Sequence, residues 1–121
     1  MAATRIAGTA FFKLDGVQYS VEGTLNVQPM SIMREGRVGL SGITGYSERP
    51  MIPFIEVEVT KTPELSMKDI ERVRDSTITG EAADGTTYVL RNAWFAGETS
   101  LDLGEGKATL RFEGLECVEV A

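Results

Sequence analysis

The sequence predicts a mainly β protein: an antiparallel β-sandwich or barrel of about seven strands, with one short α-helix and a long glycine-rich hairpin arm. Apolar and polar residues alternate along most of the chain, as they do in half-buried strands. Asp-Gly and Gly-rich turns separate these segments, and one stretch alone has the apolar spacing of a helix. With 121 residues, of which 42% are hydrophobic, the chain has the size and composition of one globular domain over residues 1–121.

The first predicted hairpin has its turn at Asp15-Gly16. Glycine accepts the positive φ that such a tight turn requires. The segment after this turn alternates regularly, which predicts one half-buried antiparallel strand. Its apolar face consists of Val17, Tyr19, Val21, Leu25 and Val27, and its polar face of Gln18, Ser20, Glu22, Thr24 and Asn26.

A glycine-rich arm is predicted from about residue 29 to residue 53. Glycine recurs there at every third residue, and apolar side chains lie between the glycines. The run is too short and too poor in proline for a collagen helix. From these residues alone, a flexible surface loop and an intermolecular contact segment are equally compatible with the pattern.

The clearest strand in the sequence follows the arm. Ile55, Val57 and Val59 alternate with Glu56, Glu58 and Thr60, which predicts a buried face and an acidic polar face.

One short helix is predicted from about residue 66 to residue 74. Ser66 is placed to cap the amide of Asp69, which lies near the positive end of the helix dipole. The helix has a narrow apolar stripe and two oppositely charged pairs three residues apart. These are Met67, Ile70 and Val73 for the stripe, and Lys68 with Glu71 and Asp69 with Arg72 for the pairs.

The last third of the chain predicts further hairpins, with turns at Asp84-Gly85 and at Gly104-Glu105-Gly106. Its expected apolar positions are Tyr88, Leu90 and Trp94 on one side of a strand, and Leu110, Phe112 and Leu115 in the core. Cys117 is the single cysteine, so an internal disulfide is excluded and a small buried apolar role is expected.

Composition argues against several classes of function. The net charge of −6 repels phosphate, which disfavours a protein that grips the DNA backbone. The absence of histidine removes Ser-His and Cys-His nucleophile pairs and the commonest zinc ligand. The sequence also shows no signal-peptide pattern and no membrane-length apolar run, which predicts synthesis in the cytoplasm. No cofactor and no metal are expected.

Carboxylates are the remaining candidates for chemistry. Glu56 and Glu58 would lie about 7 Å apart on one strand face, a separation compatible with a glycosidase pair. Asp102 and Glu105 flank a glycine turn but do not have the spacing of an EF-hand. In each case the ordinary structural role is favoured, namely a solvated strand face or a charged turn. Stacking of a base or sugar on Tyr88 or Trp94 is likewise less favoured than a core or interface role.

The order of these features resembles that of the tail tube proteins of Mu-like contractile-tailed bacteriophages. The resemblance is carried by the first "DG" hairpin, "REGRVGLSGITGYSERPMIPFIEVEV", the short helix, "STITGEAADGTTYVLRNAWFAGE" and the closing "GEGKATLRFEG". It covers nearly the whole chain and depends on the ordered set, because no single piece is diagnostic. It implies a subunit that forms hexameric rings, which stack into a hollow tube inside a contractile sheath, with DNA leaving through the bore. The fold is also similar to type VI secretion and pyocin tubes.

The resemblance implies roles for two groups of residues. The arm would reach a neighbouring ring, which assigns Arg34, Gly36, Arg37, Val38, Gly39, Leu40, Gly42, Ile43, Gly45 and Tyr46 to an interface between subunits. Glu22, Glu56 and Glu58 would face the lumen, because their strands flank the arm. Six copies would carry six times −6, or −36 per ring, which repels DNA.

The implied partners are further copies of the chain, the tail sheath, a baseplate or tube initiator and a tape-measure protein. DNA would pass without specific binding. The implied location is the virion tail, after assembly in the host cytoplasm. Three other interpretations stay open: an injection or secretion tube with protein cargo, a monomeric β-barrel that binds a small ligand or sugar, and a carboxylate hydrolase.

Overall fold

The computed structural model describes residues 10–97 and 99–120, apart from the side chain of Glu22. The strands are β1 Phe11–Leu14, β2 Val17–Tyr19, β3 Val21–Gln28, β4 Ile32–Gly39, β5 Gly42–Pro50, β6 Phe54–Thr60, β7 Ser76–Glu81, β8 Thr87–Phe95, β9 Leu101–Asp102, β10 Lys107–Glu113 and β11 Glu116–Val120, and the helix is α1 Met67–Glu71. The mainly β, antiparallel fold is confirmed. The described residues form eleven strands rather than about seven, because several strands are very short.

Nine of these strands form one antiparallel sheet that folds over itself at β8. On one side of the fold, β2, β1, β7, β8 and β11 are neighbours, and on the other side β3, β6, β10 and β9 are neighbours. The end of β8 pairs with β10 and so joins the two halves. The remaining two strands, β4 and β5, form a separate two-stranded sheet.

The hydrophobic core lies between the two halves. Phe12 of β1 stacks on Phe112 of β10 with ring centroids 5.9 Å apart, and Phe95 of β8 meets Phe112 edge-on at 5.8 Å. The alternation predicted for β6 is confirmed, because its three aliphatic side chains are fully buried while its glutamates are partly exposed. The fully or almost fully buried apolar residues are Phe12, Ile55, Val57, Val59, Leu65, Ile70, Ile78, Leu90, Ala93, Ala108, Leu110 and Phe112.

The local predictions for the helix are confirmed, although the helix ends earlier than expected. The Ser66 hydroxyl accepts a hydrogen bond from the Asp69 amide at 3.4 Å. Ile70 is buried, with Met67 and Val73 packed beside the core. Both predicted charge pairs form, at 3.6 Å for Lys68 with Glu71 and 3.8 Å for Asp69 with Arg72. All three predicted turns join consecutive strands, with positive φ at Gly16, Gly85 and Gly106.

Three further expectations are wrong. The strand predicted after Asp15-Gly16 is broken at Ser20 into β2 and β3, which lie in different halves, and β3 has a register irregularity between Val21 and Leu25. Trp94 does not share a side with Leu90, because an irregularity beside Asn92, whose φ is +52°, reverses the alternation and turns Ala93 and Phe95 inward.

Leu115 is also misplaced by the sequence pattern. It lies in the short connection between β10 and β11, where Gly114 occupies the buried position and Leu115 is 71% exposed.

Candidate assembly surfaces

The arm is a β-hairpin that stands apart from the core. Strands β4 and β5 pair with each other, from Ile32 opposite Pro50 to Gly39 opposite Gly42. The base of the hairpin is fastened to β3 by Gln28, whose side-chain amide donates to the carbonyls of Met30 and Ile52 at 3.0 and 3.2 Å. The arm is therefore held at its base, while its strands extend into solvent.

A bulge near the end of the arm decides which side chains share a face. Gly36 lies opposite Tyr46, but Val38 lies opposite Ile43, so β5 contains one extra residue in this interval. The Thr44 hydroxyl donates to the Arg37 carbonyl at 3.2 Å and stabilises the bulge. Residues three apart on a regular strand point to opposite faces, but here the bulge returns Ile43 to the face of Tyr46.

The bulge produces a face on which apolar side chains are exposed. Val38, Ile43 and Tyr46 are 78%, 86% and 63% exposed, and we call these three residues the apolar arm face. Leu40 is fully exposed at the tip. An ion pair interrupts this face nearer the base, where Arg34 meets Glu48 at 3.1 Å.

The opposite face of the arm is polar. The guanidinium of Arg37 donates to the Ser47 hydroxyl at 3.3 Å, and that of Arg49 donates to the Met33 sulfur at 3.7 Å. Residues 29–53 contain three arginines and two glutamates, for a charge of +1, so the rest of the chain carries −6 − 1 = −7. A weakly basic arm therefore projects from a strongly acidic body.

No single backbone requirement explains all four glycines of the arm. Gly42 and Gly45 have φ of +119° and +135°, a region that side chains rarely adopt. Gly36 has no positive φ and open space where a side chain would begin. The isolated subunit therefore requires glycine at the bulge and the tip but does not require it at Gly36.

A second candidate surface is the polar side of β6 and β10. Glu56 lies directly opposite Arg111 in the strand register, and the two side chains meet at 3.3 Å. Arg111 also contacts Glu113 at 3.4 Å and lies over the Phe54 ring at 3.9 Å from its centroid. Here the expected acidic face is found to be mixed, because β10 adds cations to the glutamates of β6.

A second ion cluster lies at the other end of the same two strands. Lys107 contacts Glu105 at 2.8 Å and Glu58 at 3.5 Å. The Glu105 carboxylate, with a smaller contribution from Glu58, raises the pKa of Lys107, and Lys107 in turn lowers the pKa of Glu105. We call Glu56, Glu58, Lys107, Arg111 and Glu113, with Glu105 at the adjoining turn, the polar sheet face.

The sequence identified only part of this surface. Glu56 and Glu58 lie on it, while the side chain of Glu22 lies outside the described residues. Sequence reasoning missed Lys107, Arg111 and Glu113, although they alternate with buried residues along β10. The alternation was visible in "KATLRFE", but the pairing of β10 with β6, which brings the charges together, was not.

The weaker chemical candidates have structural roles in the described residues. The Asp102 carboxylate accepts hydrogen bonds from the Gly104 and Glu105 amides at 3.0 and 3.1 Å, as a turn cap does. Tyr88 donates its hydroxyl to Glu119, which raises the pKa of Tyr88. Cys117 is half-buried beside the core, and burial raises the pKa of its thiol.

Residues 10–97 and 99–120 contain no metal-binding group of His, Cys, Asp and Glu. The same residues include no helix that is both long and apolar enough to span a membrane. A surface cleft of about 400 Å³ in this part of the chain is lined by Met67, Lys68, Glu71, Phe95, Gly97 and Thr99. Its residues do not include a paired nucleophile and base.

A profile described as the phage tail tube protein matches residues 3–119. The chain belongs to the phage tail tube protein family, a family of structural virion proteins that are not enzymes.

Two curated relatives agree with this assignment. The chain is 28% identical to the Mu-like prophage FluMu tail tube protein of Haemophilus influenzae over 118 residues, which is 98% of each chain. It is 30% identical to the tail tube protein of Escherichia phage Mu, over 87% of this chain and 88% of the relative. Among solved structures, the sheath/tube terminator of an extracellular contractile injection system has the same fold, with a TM-score of 0.64 at 10% identity over 93% of each chain.

Proposed function

We propose that this chain assembles into hexameric rings that stack into the inner tube of a contractile phage tail, through which DNA leaves the capsid. The observation that carries this proposal is the apolar arm face, whose residues are 63–86% exposed in the single subunit. An exposed apolar hairpin with free strand edges is a liability in a monomer. It is useful in a subunit that buries the hairpin against another copy.

Hydrophobic burial and charge both favour another copy as the partner of the arm. Burying one apolar side chain of this size contributes roughly 1.5–3 kcal/mol. The arm carries +1 and the rest of the chain −7, so the arm of one subunit is attracted to the body of the next. A heterologous contact forms a closed ring where the rotation between copies closes and a filament where it does not, so contacts within and between rings together build a tube. The ten arm residues named from the sequence are the proposed interface between subunits.

The polar sheet face is the proposed lining of the bore. Glu56 and Glu58 lie on a strand that begins at the foot of the arm, and Glu22 belongs to the neighbouring strand β3. The face carries more carboxylates than cations, so that it repels a passing polyanion overall. The proposed partners beyond the chain itself are the sheath, a baseplate or tube initiator and a tape-measure protein. The proposed assembly site is the host cytoplasm.

The test is electron microscopy of the purified protein at high concentration, with light scattering on the same sample. Rings or hollow filaments are expected, and averaged end views should show six-fold symmetry. Rings of another order would overturn the hexamer. Persistent monomers, even after addition of tube fragments from assembled tails as nuclei, would overturn self-assembly.

A second candidate is a tube of an injection system that carries protein rather than DNA. The shared fold with an extracellular contractile injection system component favours this candidate. Particles purified from producing cells would separate the two: a DNA-filled head attached to the tail supports the first candidate, and headless particles with protein in the lumen support the second.

A further inference from the structure

Each cation of the polar sheet face lies between two carboxylates. Strands β3 and β6 contain no lysine or arginine, so the cations come from β10. Arg111 reaches Glu56 through Nη1 at 3.3 Å and Glu113 through Nη2 at 3.4 Å. Lys107 reaches Glu58 at 3.5 Å and Glu105 at 2.8 Å. The same arrangement therefore occurs twice, with different cations and with carboxylates from different elements.

The two cations are in ion pairs with carboxylates but are not buried. The side chains of Arg111 and Lys107 are 38% and 33% exposed, so solvent reaches both. A phosphate group can approach them too, because guanidinium and ammonium groups bind phosphate strongly. The flanking carboxylates contact both terminal nitrogens of Arg111 and the ammonium of Lys107, and they leave each cluster with a net charge of −1, which repels a phosphate from the cation.

We propose that the polar sheet face is a surface past which duplex DNA slides, and that its carboxylates prevent adhesion by occupying Arg111 and Lys107. This inference rests on the proposed function, since it assigns a mechanism to the strands proposed to line the bore. It differs from general repulsion in one respect. If net charge alone prevented DNA adhesion, every carboxylate of the chain would contribute equally. In the mechanism proposed here, the carboxylates that contact Arg111 or Lys107 contribute more.

The difference is tested with two variants that change the net charge equally. Glu56→Gln with Glu113→Gln removes both carboxylates that hold Arg111. The matched control is Glu81→Gln with Glu119→Gln, because neither side chain forms an ion pair among the described residues and Glu119 hydrogen-bonds Tyr88. Both pairs raise the net charge by two, but only the first pair frees a guanidinium.

The readout is retention of the purified subunit on immobilised duplex DNA, measured over a range of salt concentrations. The wild type and the control should pass through, while E56Q/E113Q should be retained. The slope of its log affinity for DNA against log salt concentration should be steeper than that of the control by about one unit, because Arg111 becomes one additional phosphate contact. Adding Arg111→Gln to this variant should abolish the retention.

Equal retention of the control and E56Q/E113Q, or strong binding by the wild type, would overturn the inference. If E56Q/E113Q does not fold, Glu58→Gln with Glu105→Gln provides the same test at Lys107, because these two carboxylates contact its ammonium group. Selective retention of the freed variants supports the inference even if microscopy shows no tubes. Tubes without selective retention would leave the proposed function standing and remove this mechanism.

Discussion

Replacing the apolar arm face should block assembly without weakening the subunit. The sharpest variant is Val38→Thr with Ile43→Thr, because threonine keeps the β-branched shape that suits a strand. Both side chains are more than three-quarters exposed. The free energy of unfolding should therefore change by no more than about 0.5 kcal/mol, as is usual for surface substitutions.

The assembled state should be affected much more. If both side chains are buried against a neighbouring copy, each threonine loses apolar contact and places a hydroxyl in an apolar site, at about 2 kcal/mol per site. Two sites then weaken each contact by about 4 kcal/mol, or roughly a thousandfold in the association constant. Because every subunit presents one arm, the critical concentration for tube growth should rise steeply.

Sedimentation of seeded assemblies measures that critical concentration, and urea denaturation of the monomer measures stability. The matched control is Met33→Thr, which removes an apolar side chain from the opposite face of the same hairpin. Tubes that form at the wild-type concentration with V38T/I43T would refute the assignment of the apolar arm face as an interface. An equal assembly defect in Met33→Thr would refute the restriction of the interface to the apolar arm face.

Three further predictions follow from the same structure. Gly114→Ala should destabilise the subunit by about 1–3 kcal/mol in urea denaturation, because the new Cβ would lie 2.8 Å from Leu90 and 2.9 Å from the Arg91 carbonyl. The control is Gly36→Ala, whose new Cβ meets open space, and its free energy of unfolding should be near that of the wild type. Lys107→Gln should raise the pKa of Glu105 back toward its ordinary value in an NMR titration, because Lys107 lowers that pKa. The pair therefore stabilises the fold above the ordinary carboxyl pKa, and this stabilisation is lost as pH falls through the lowered value. An unchanged Glu105 pKa would contradict the contact. Amides of residues 32–50 should exchange with solvent faster than those of β6 in the free subunit and become protected on assembly, whereas equal protection before assembly would contradict an arm that orders on docking.

Structural features that depend only on neighbouring residues along the chain were predicted correctly from the sequence. The Ser66 cap, the glycine turns and the alternation of β6 need only a few consecutive residues, and all are present. Trp94 was misplaced because one irregularity beside Asn92 reverses every later position of the strand. Such irregularities have no distinct sequence signal when the residue involved is not glycine.

The candidate surfaces required information that lies outside any one segment. The exposed apolar residues of the arm were visible in the sequence, but the bulge that places Ile43 with Tyr46 was not. Likewise Glu56 was identified without Arg111, although the two lie in contact. The contact joins residues 55 positions apart, and strand order decides it. Charge alternation in single strands therefore indicated the face, while its electrostatic character depended on the sheet.

Separation of the core from the arm explains how one chain can fold as a single subunit and still present an arm for the proposed assembly. Apart from Pro53 at its end, the arm of residues 29–53 contributes no buried residue, so the hydrophobic core is built by the rest of the chain. An isolated two-stranded hairpin is only marginally stable in water, and this one is fastened at its base by Gln28. The Arg34–Glu48 pair interrupts its apolar face and limits the continuous apolar area that a free subunit exposes. If the arm docks on the next copy as proposed, most of its stabilisation comes from that contact, and ordering of the arm and growth of the tube are one coupled step.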